Sequence, residues 1–216
     1  MVGRKWFQTG CRPTELKRIH WTKLSVDLSS FSSAHFDRGA SKAREALWLL
    51  VSLFLFRLCP LPLSAIKRAV LRAFGAKVGR CVVIKPQVKI TFPWKLTIGD
   101  HSWLGEECWL LNLEQIVIGK SVCVSQRAFL CTGSHNYKDP SFGLIVRPIT
   151  LQDGSWIGAG GWVGPGVTVG TQSVLTAGSV ATKDLDPSGI YRGNPAVWVR
   201  SRVISSSAAA CGSQPS

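Results

Sequence analysis

Acidic residues are scarce in this chain of 216 residues, which holds 12 Asp and Glu against 26 Lys and Arg and has a formal net charge of +14. The shortage is local. Residues 1–80 contain 15 Lys/Arg and 4 Asp/Glu, whereas residues 81–216 contain 11 and 8. A basic excess suggests nucleic acid, anionic lipid or anionic substrates. Because no nucleic-acid-binding motif accompanies it, we expect no nucleic-acid partner.

The sequence also lacks an apolar run long enough to cross a bilayer. The longest run, residues 46–56, ends at Arg57 and is well short of the roughly 20 residues that a spanning helix needs. No convincing small-residue cleavage site follows it, so a signal peptide is not expected. Residues 41–74 predict two helices with Ser41 as N-cap. They either cap the domain that follows or, through residues 46–74, contact the surface of a membrane with basic flanks.

Paired cysteines are missing as well. The seven cysteines show no C-x-x-C spacing and no compact disulfide framework. Four of them fall in the repeat region described below and are interpreted as small packing residues: Cys81, Cys108, Cys123 and Cys131. This usage predicts a reducing compartment. We therefore expect a cytoplasmic protein, with peripheral contact at the inner face of the cell membrane left open.

What the chain does have is a six-residue period. From residue 151 every sixth side chain is aliphatic: Leu151, Ile157, Val163, Val169, Leu175 and Ala181. The residue four positions after each of the first five is mostly small: Ser155, Gly161, Val167, Ser173 and Ser179. A period of six fits neither a helix nor a lone alternating strand and is typical of a hexapeptide solenoid. Three hexads make one coil of a triangular prism.

The same ladder runs upstream in three sets of three: Val78, Ile84 and Ile90; Ile98, Leu104 and Leu110; Ile118, Val124 and Leu130. Between these sets the step is eight residues, which predicts a two-residue bulge at the same corner of successive coils. The period does not set the handedness of the coil. The fold class is therefore an all-β solenoid, a parallel β-helix with an N-terminal helical cap.

Five segments are predicted along the chain. Residues 1–40 form a basic, loosely ordered arm and residues 41–74 the helical cap. Residues 75–185 form the β-helix, interrupted by a projecting loop at residues 136–148, where the six-residue period is lost. Residues 186–204 form a C-terminal extension that includes a short helix, and residues 205–216 form a disordered tail.

His135 is the candidate catalytic residue. It lies where the regular coil ends and the projecting loop begins, and the unperturbed histidine pKa of about 6.5 suits proton transfer from a hydroxyl. His101, the other histidine of the prism, is expected on the outer surface. Cys131 as a nucleophile is the weaker alternative, and a packing role is favoured for it. No metal is expected, because the prism offers two histidines and no carboxylate cluster.

Several motifs carry a resemblance to a known family. They are the residues 133–135 with their loop, 156–158, 165–170, 177–180, 182–184 and 193–196, together with 74–79, 88–96 and 125–135. With the hexad ladder, they resemble the left-handed β-helix O-acetyltransferases. The runs 74–79, 88–96 and 125–135 are most similar to the branch of colanic-acid and exopolysaccharide biosynthesis. The resemblance covers about residues 28–203.

The resemblance implies a left-handed coil, a homotrimer with active sites between subunits, and acetyl transfer from acetyl-CoA to a sugar hydroxyl. Whether the acceptor is a free sugar or a lipid-linked oligosaccharide stays open. It implies His135 as general base, with Asn112 and Trp156 at the acceptor site. It also implies a set of residues along the acetyl-CoA groove: Trp156, Gly158, Ala159, Ala177, Thr182, Lys183 and Arg200. Some relatives carry a second arginine where this chain has Val197, so phosphate recognition is expected to differ.

Two other classes remain open at this stage. One is a metal enzyme resembling the γ-carbonic anhydrases, which share the prism and hold zinc with three histidines. The other is a solenoid that binds or scaffolds without catalysis. For the acetyltransferase we expect direct transfer without a covalent enzyme intermediate, with backbone N–H groups stabilising the oxyanion.

Overall fold

The structure is a computed structural model that describes residues 25–33, 36–59, 61 and 63–205. Short strands follow one another along the chain: β1 (Lys77–Val78), β2 (Val83–Ile84), β3 (Lys89–Ile90), β4 (Leu96–Ile98), β5 (Trp103–Leu104), β6 (Trp109–Leu111), β7 (Ile116–Ile118), β8 (Cys123–Val124), β9 (Phe129–Cys131), β10 (Gly133–His135), β11 (Leu144–Val146), β12 (Ile149–Leu151), β13 (Trp156–Ile157), β14 (Trp162–Val163), β15 (Thr168–Val169), β16 (Val174–Leu175), β17 (Val180–Ala181), β18 (Gly189–Arg192) and β19 (Val197–Ser201).

These strands build a prism of about six coils with three parallel sheets as its faces. The first face is β1-β4-β7-β12-β15, the second is β2-β5-β8-β13-β16-β18, and the third is β3-β6-β9-β14-β17. The chain visits the faces in that order in every coil, so each strand pairs with the strand one coil away. The predicted β-solenoid is confirmed.

The aliphatic ladder forms the core of the prism. Every one of the fifteen predicted rungs is at most 9% exposed, and most are completely buried. The register follows the predicted stacking, since Val78 pairs with Ile98, Ile98 with Ile118, and Leu151 with both Ile118 and Val169. Full burial of one aliphatic side chain contributes roughly 1.5–3 kcal/mol before chain entropy is counted, so the stacked ladder is the main source of stability.

The steps of eight residues lie at the corner between the third and the first face. After β3 the extra residues form a single 3₁₀ turn, Pro93–Lys95, and after β6 they include Asn112. Asn112 is fully buried beneath that turn. The predicted bulge at one corner of successive coils is confirmed.

The corners between hexads require an unusual backbone. Several non-glycine residues there have positive φ, among them Cys81 at 55° and His101 at 61°. Both side chains project into solvent. The outward position predicted for His101 is confirmed. The packing role predicted for the cysteines is confirmed for the buried Cys108 and Cys131. That role is wrong for Cys81, because a side chain at such a corner points away from the core.

Two helices and a wide helical turn close the N-terminal end of the prism: α1 (Lys42–Val51), a π-helical turn (Ser52–Leu58) and α2 (Ser64–Ala73). The hydroxyl of Ser41 accepts from the Arg44 N–H at 3.3 Å, as expected of an N-cap. Trp48 is 1% exposed and its Nε1 donates to the Ile90 carbonyl at 3.0 Å. This bond and the packing of Phe56 and Leu71 join the cap to the first coil.

Residues 25–33 and 36–40 differ from the predicted loose arm. The Asp27 N–H donates to the Pro140 carbonyl at 2.9 Å, and the Trp94 indole donates to the Arg38 carbonyl at 2.6 Å. Lys95 reaches the Asp37 carbonyl at 2.6 Å. These bonds hold the segment along the prism, because its own polar backbone groups find partners there. The remainder of the predicted arm, residues 1–24, lies outside the described residues.

The C-terminal extension also differs from the prediction. The expected short helix is absent from the described residues 186–204, which instead form β18 and β19. These strands pair antiparallel at the edge of the second face. Tyr191 pairs with Leu175 and is buried, so it takes the position of the next residue in the aliphatic ladder. A hairpin pairs the last open strand, which a helix could not do. The predicted tail from residue 206 onward lies outside the described residues.

Within the described part of the chain, no helix is both long enough and apolar enough to cross a bilayer.

Candidate active site

His135 stands on a hairpin that leaves the prism at the corner between the third and the first face. Strands β10 and β11 pair antiparallel, with His135 opposite Leu144. The chain leaves the third coil after β9 and rejoins the first face at β12. The Asn136 N–H donates to the Gly143 carbonyl at 2.8 Å and closes the hairpin above the histidine. The predicted projecting loop is therefore an ordered two-stranded element.

The imidazole of His135 is fixed in orientation. Its Nδ1 lies 2.9 Å from the Phe142 carbonyl oxygen, and its ring stacks on the Phe142 ring at 4.5 Å. Phe31 lies on another side at 5.8 Å between ring centroids. A carbonyl can only accept a hydrogen bond, so Nδ1 carries a proton. In the neutral ring Nε2 then carries the lone pair, which is the arrangement that a general base requires.

A cavity of about 610 Å³ adjoins this hairpin. It lies between the N-terminal segment and β11, and its walls include Phe36, Asp37, Glu114, Ser141 and Leu144. Lys95 also lines the cavity, with its ammonium group bound to the carbonyls of Asp37 and Leu113. The cavity thus offers hydroxyls, carboxylates and an aromatic ring, which are groups that can recognise a polar, many-hydroxyl ligand.

Cys131 is not arranged as a nucleophile. It is buried, burial raises the pKa of its thiol, and the Sγ donates to the Gly133 carbonyl at 3.2 Å. A thiol that ionises less readily is a weaker nucleophile at neutral pH. The favoured packing role is confirmed.

Asn112 does not face a ligand. It is completely buried, and its Oδ1 accepts from the N–H groups of Thr91 and Phe92, each at 3.0 Å. Its Nδ2 donates to the carbonyls of Phe92 and Lys95. The acceptor-site role predicted for this residue is wrong, because the whole amide is used to hold the bulge between the first and second coils.

The other predicted site residues are divided between parts of the prism. Trp156 and Arg200 are exposed on the second face. Gly158, Ala159 and Ala177 follow β13 and β16, at the corner between the second and third faces. Thr182 and Lys183 follow β17, at the corner from which the His135 hairpin leaves. Within a single chain, Trp156 and His135 are therefore not brought to the same place.

The corner formed by Ala159 and Ala177 is a smooth strip of small residues. The Gly178 N–H donates to the Ala159 carbonyl at 2.8 Å, and the Gly160 N–H donates to the Gln126 carbonyl at 2.9 Å. A Cβ at Gly158 would lie 2.5 Å from the Ala177 nitrogen, so the backbone packs too closely there for a side chain. Such a strip allows a ligand to approach the backbone closely.

Trp156 is held although it is exposed. Its indole Nε1 donates to the Ser125 hydroxyl at 2.9 Å, and its side chain is 44% exposed. The bond fixes a flat apolar surface on the second face, next to the small-residue strip.

Comparison with known proteins identifies the family. No protein-family model matches the chain. The chain is 42% identical over 177 residues to the Escherichia coli protein named "Putative colanic acid biosynthesis acetyltransferase WcaF", an alignment that covers 82% of this chain and 97% of that protein. The chain belongs to the hexapeptide-repeat acetyltransferases. Nodulation protein L of Rhizobium meliloti is 32% identical over 130 residues, with 58% of this chain and 70% of that protein covered.

A solved structure supports the same conclusion. A hexapeptide-repeat acetyltransferase of Vibrio cholerae, determined in complex with acetyl coenzyme A, superposes with a TM-score of 0.67 at 28% identity. The superposition covers 82% of this chain and 97% of that chain. The predicted resemblance to the acetyltransferase family is confirmed.

For this hexapeptide-repeat acetyltransferase, the sequence did not reveal that Phe31 contacts the His135 ring or that Phe36, Asp37 and Glu114 line the cavity next to the hairpin. Phe31, Phe36 and Asp37 were assigned to a loose arm, and Glu114 was assigned no role. The aromatic residues among the charges of residues 25–40 were the available signal, since loosely ordered segments are usually poor in aromatics.

The alternative of a zinc enzyme finds no support in the described side chains. Across residues 25–33, 36–59, 61 and 63–205, no group of three or more His, Cys, Asp or Glu side chains is placed to hold a metal ion. The two described histidines, His101 and His135, stand on different coils.

Proposed function

We propose that the protein transfers the acetyl group of acetyl-CoA to a hydroxyl of a sugar, with His135 as general base. The observation that carries this proposal is the contact between His135 Nδ1 and the Phe142 carbonyl oxygen at 2.9 Å. It fixes the tautomer and aims the basic Nε2 away from the hairpin backbone. Membership of the acetyltransferase family supplies the reaction class.

The chemical step balances without a covalent enzyme intermediate. Nε2 of His135 takes the hydroxyl proton while the sugar oxygen attacks the thioester carbonyl carbon. The C–S bond of the tetrahedral intermediate then breaks, and the thiolate receives the proton from the imidazolium. Backbone N–H groups stabilise the oxyanion in this proposal.

The coenzyme is proposed to lie along the small-residue strip of one subunit. Trp156, Gly158, Ala159 and Ala177 line its path there, and Lys183 and Arg200 bind phosphate, with Thr182 beside Lys183. The Lys183 and Arg200 side chains are exposed, and their positive charge suits an anionic nucleotide. The proposal draws on the acetyl-CoA and coenzyme A complexes named for relatives of this fold.

We propose a homotrimer for the same reason. Trp156 and the small-residue strip lie on a different side of one prism from the catalytic histidine, whereas Thr182 and Lys183 share its corner. Rotation about a threefold axis would bring the second face of one subunit beside the His135 corner of the next, so each site would draw on two copies.

The acceptor is proposed to be a sugar unit of an exopolysaccharide of the colanic-acid type, either free or lipid-linked. The name of the Escherichia coli relative suggests this class. The cavity of about 610 Å³ beside His135 is the proposed acceptor pocket, with Asp37, Glu114 and Ser141 as hydrogen-bonding groups.

Thiol release from acetyl-CoA, measured with a panel of sugars and lipid-linked oligosaccharides, tests this function. We expect acceptor-dependent release that falls by about 10²–10⁴ in His135→Ala. His101→Asn is the matched control, because it changes the other described histidine and because asparagine tolerates the positive φ at that position. A His135→Ala variant that retained the full rate would refute the assignment. Acetyl-CoA binding without release for any acceptor would favour a non-catalytic solenoid.

A further inference from the structure

The outer side of the helical cap is apolar. Five side chains on it are between 55% and 64% exposed, and we name them the apolar ridge: Leu47, Leu50, Phe54, Leu58 and Leu61. On the inner side of the same segment Trp48 and Phe56 are each 1% exposed. A surface helix ordinarily turns polar residues to solvent. A contiguous exposed apolar surface of this kind usually marks a site of interaction.

The surroundings of the ridge are strongly basic. Residues 41–92 contain ten Lys/Arg and one Asp/Glu. That single acid, Glu45, is paired with Arg38 at 2.6 Å. Lys67 is buried, and burial lowers its pKa, so it adds nothing to the surface charge. The other cations of the cap and the first coil present positive charge without a free carboxylate in residues 41–92.

Two of these cations border a crevice beside the ridge. Arg57 and Lys89 line a cavity of about 330 Å³ between the cap and the third face, and Leu49 and Trp109 form part of its walls. The Lys89 Nζ lies 5.6 Å from the centre of the Trp109 ring. The side-chain nitrogens of Arg57 and Lys89 have no hydrogen bond or ion pair with any other residue that the structure describes. The crevice thus combines apolar walls, the paired Arg38 and Glu45, and two cations that have no carboxylate partner among the described residues.

We propose that the cap docks on a membrane surface that contains anionic phospholipid. The apolar ridge enters the interfacial layer, to a depth of about 5–10 Å for such a helix. Arg57 and Lys89 bind lipid phosphate in the crevice. The cap lies in the plane of the membrane, since neither of its helices is long enough to span it.

Charge complementarity favours lipid over the other candidates for covering the ridge. A second copy of the chain meeting it ridge to ridge would bring the same cations together and repel. Residues 1–24 contain six Lys/Arg and one Asp/Glu, so they add positive charge, and residues 206–216 contain no charged residue. An anionic bilayer supplies both an apolar layer and negative charge.

Docking through the cap also sets the height of the candidate active site. The cap packs on the first coil, and the hairpin that carries His135 leaves the third coil. Two strand spacings are about 10 Å, and the helix layer adds roughly another 10 Å. With the ridge about 5–10 Å deep in the interfacial layer, the site would stand about 10–15 Å above the membrane surface. If the proposed function holds, an acceptor attached to lipid would meet the site there.

Co-sedimentation of the purified full chain with vesicles tests the docking. One set of vesicles is pure phosphatidylcholine and the other contains phosphatidylglycerol, at low and high salt. The ridge variant is Leu47→Ser/Leu50→Ser/Phe54→Ser, and Phe54→Ser alone replaces it if the triple variant does not fold by circular dichroism. The charge variant is Arg57→Gln/Lys89→Gln. The controls are Val203→Ser/Ile204→Ser, which removes exposed apolar side chains at the far end of the prism, and Lys120→Gln/Lys138→Gln.

We expect the wild type to bind the anionic vesicles at least tenfold more tightly than the neutral ones and to lose this preference at high salt. Each cation removed at the crevice should weaken binding about fivefold. The ridge variant should lose binding to both kinds of vesicle, and both control variants should bind like the wild type.

Equal binding of wild type and ridge variant, or no binding of the wild type, would overturn the proposal. A ridge variant that instead changed the oligomeric state would assign the ridge to a second copy. Acetyl-CoA binding, measured without vesicles, should be unchanged in every variant, so that a failure of docking is separate from a failure of the proposed activity.

Discussion

At the scale of single residues, the chemistry of the candidate site depends on one backbone carbonyl. The Phe142 oxygen is fixed by the hairpin, and it selects which nitrogen of His135 is free to take a proton. No substitution of a side chain removes this contact directly, so the tautomer is set by the fold of the loop. The ring of Phe142 adds a stacking surface that limits rotation of the imidazole.

Asn112→Ala should destabilise the fold and leave acceptor recognition intact. The substitution removes a partner from four backbone groups. The Thr91 N–H keeps its bond to the Leu110 carbonyl and the Phe92 carbonyl keeps its bond from the Lys95 N–H, whereas the Phe92 N–H and the Lys95 carbonyl lose the partner that Asn112 supplies. An unsatisfied buried group costs about 1–3 kcal/mol. We expect a lower midpoint in urea unfolding and an unchanged KM for the acceptor at temperatures where the variant is folded. A raised KM at unchanged stability would restore the role at the acceptor site that the structure argues against.

Gly99→Ala should destabilise the stack of coils. A Cβ there would lie 2.6 Å from the Gly119 backbone in the next coil, and neither coil can move aside without disturbing the ladder. Overpacking of this kind typically costs about 1–3 kcal/mol. Gly143→Ala is the matched control, since its nearest neighbour would be 3.9 Å away. Thermal unfolding should separate the two variants by several degrees, and equal melting temperatures would contradict the argument.

At the scale of elements, the cap is attached to the prism by a buried aromatic side chain and by bonds from the second cap helix, in which Lys67 donates to the Lys85 carbonyl and Arg72 to the Val78 carbonyl. Trp48 is buried against Phe56 and Phe74 and donates its indole N–H to the first coil. The cap covers the open end of the first coil, which otherwise would present unpaired strand edges.

Trp48→Ala should loosen the cap. Truncating a buried tryptophan costs about 3–5 kcal/mol, and the Ile90 carbonyl loses its donor. We expect faster hydrogen exchange across residues 42–73 than across the later coils. Leu50→Ala, on the exposed side of the same helix, should change stability by less than about 0.5 kcal/mol. Uniform exchange throughout the Trp48 variant would mean that the cap and the prism unfold as one unit.

At the scale of the whole molecule, the division of the candidate site between faces leads to a test of the proposed trimer. His135→Ala and Trp156→Ala subunits each lack a different part of the site. If a site takes its histidine from one copy and its tryptophan from the next, a random mixture of the two contains about one intact site in four.

Co-expressed His135→Ala and Trp156→Ala subunits should therefore recover about a quarter of the wild-type rate, although each variant alone is much slower. The measurement is thiol release from acetyl-CoA by the mixture, with light scattering to establish three copies per particle. Mixing the two variants after separate purification, without subunit exchange, is the control. A mixture no more active than its components would place the whole site within one chain.

The sequence alone determined the ladder of the prism, because a period of six repeats the same local choice of aliphatic and small residues in every coil. It also determined the family and singled out His135, since both follow from short motifs. The tertiary structure decided the rest. It buried Asn112, placed residues 25–33 and 36–40 along the prism and turned the apolar ridge outward. Those outcomes depend on contacts between residues far apart in the chain, such as Trp48 with Ile90 and Asp27 with Pro140, and no local pattern encodes them.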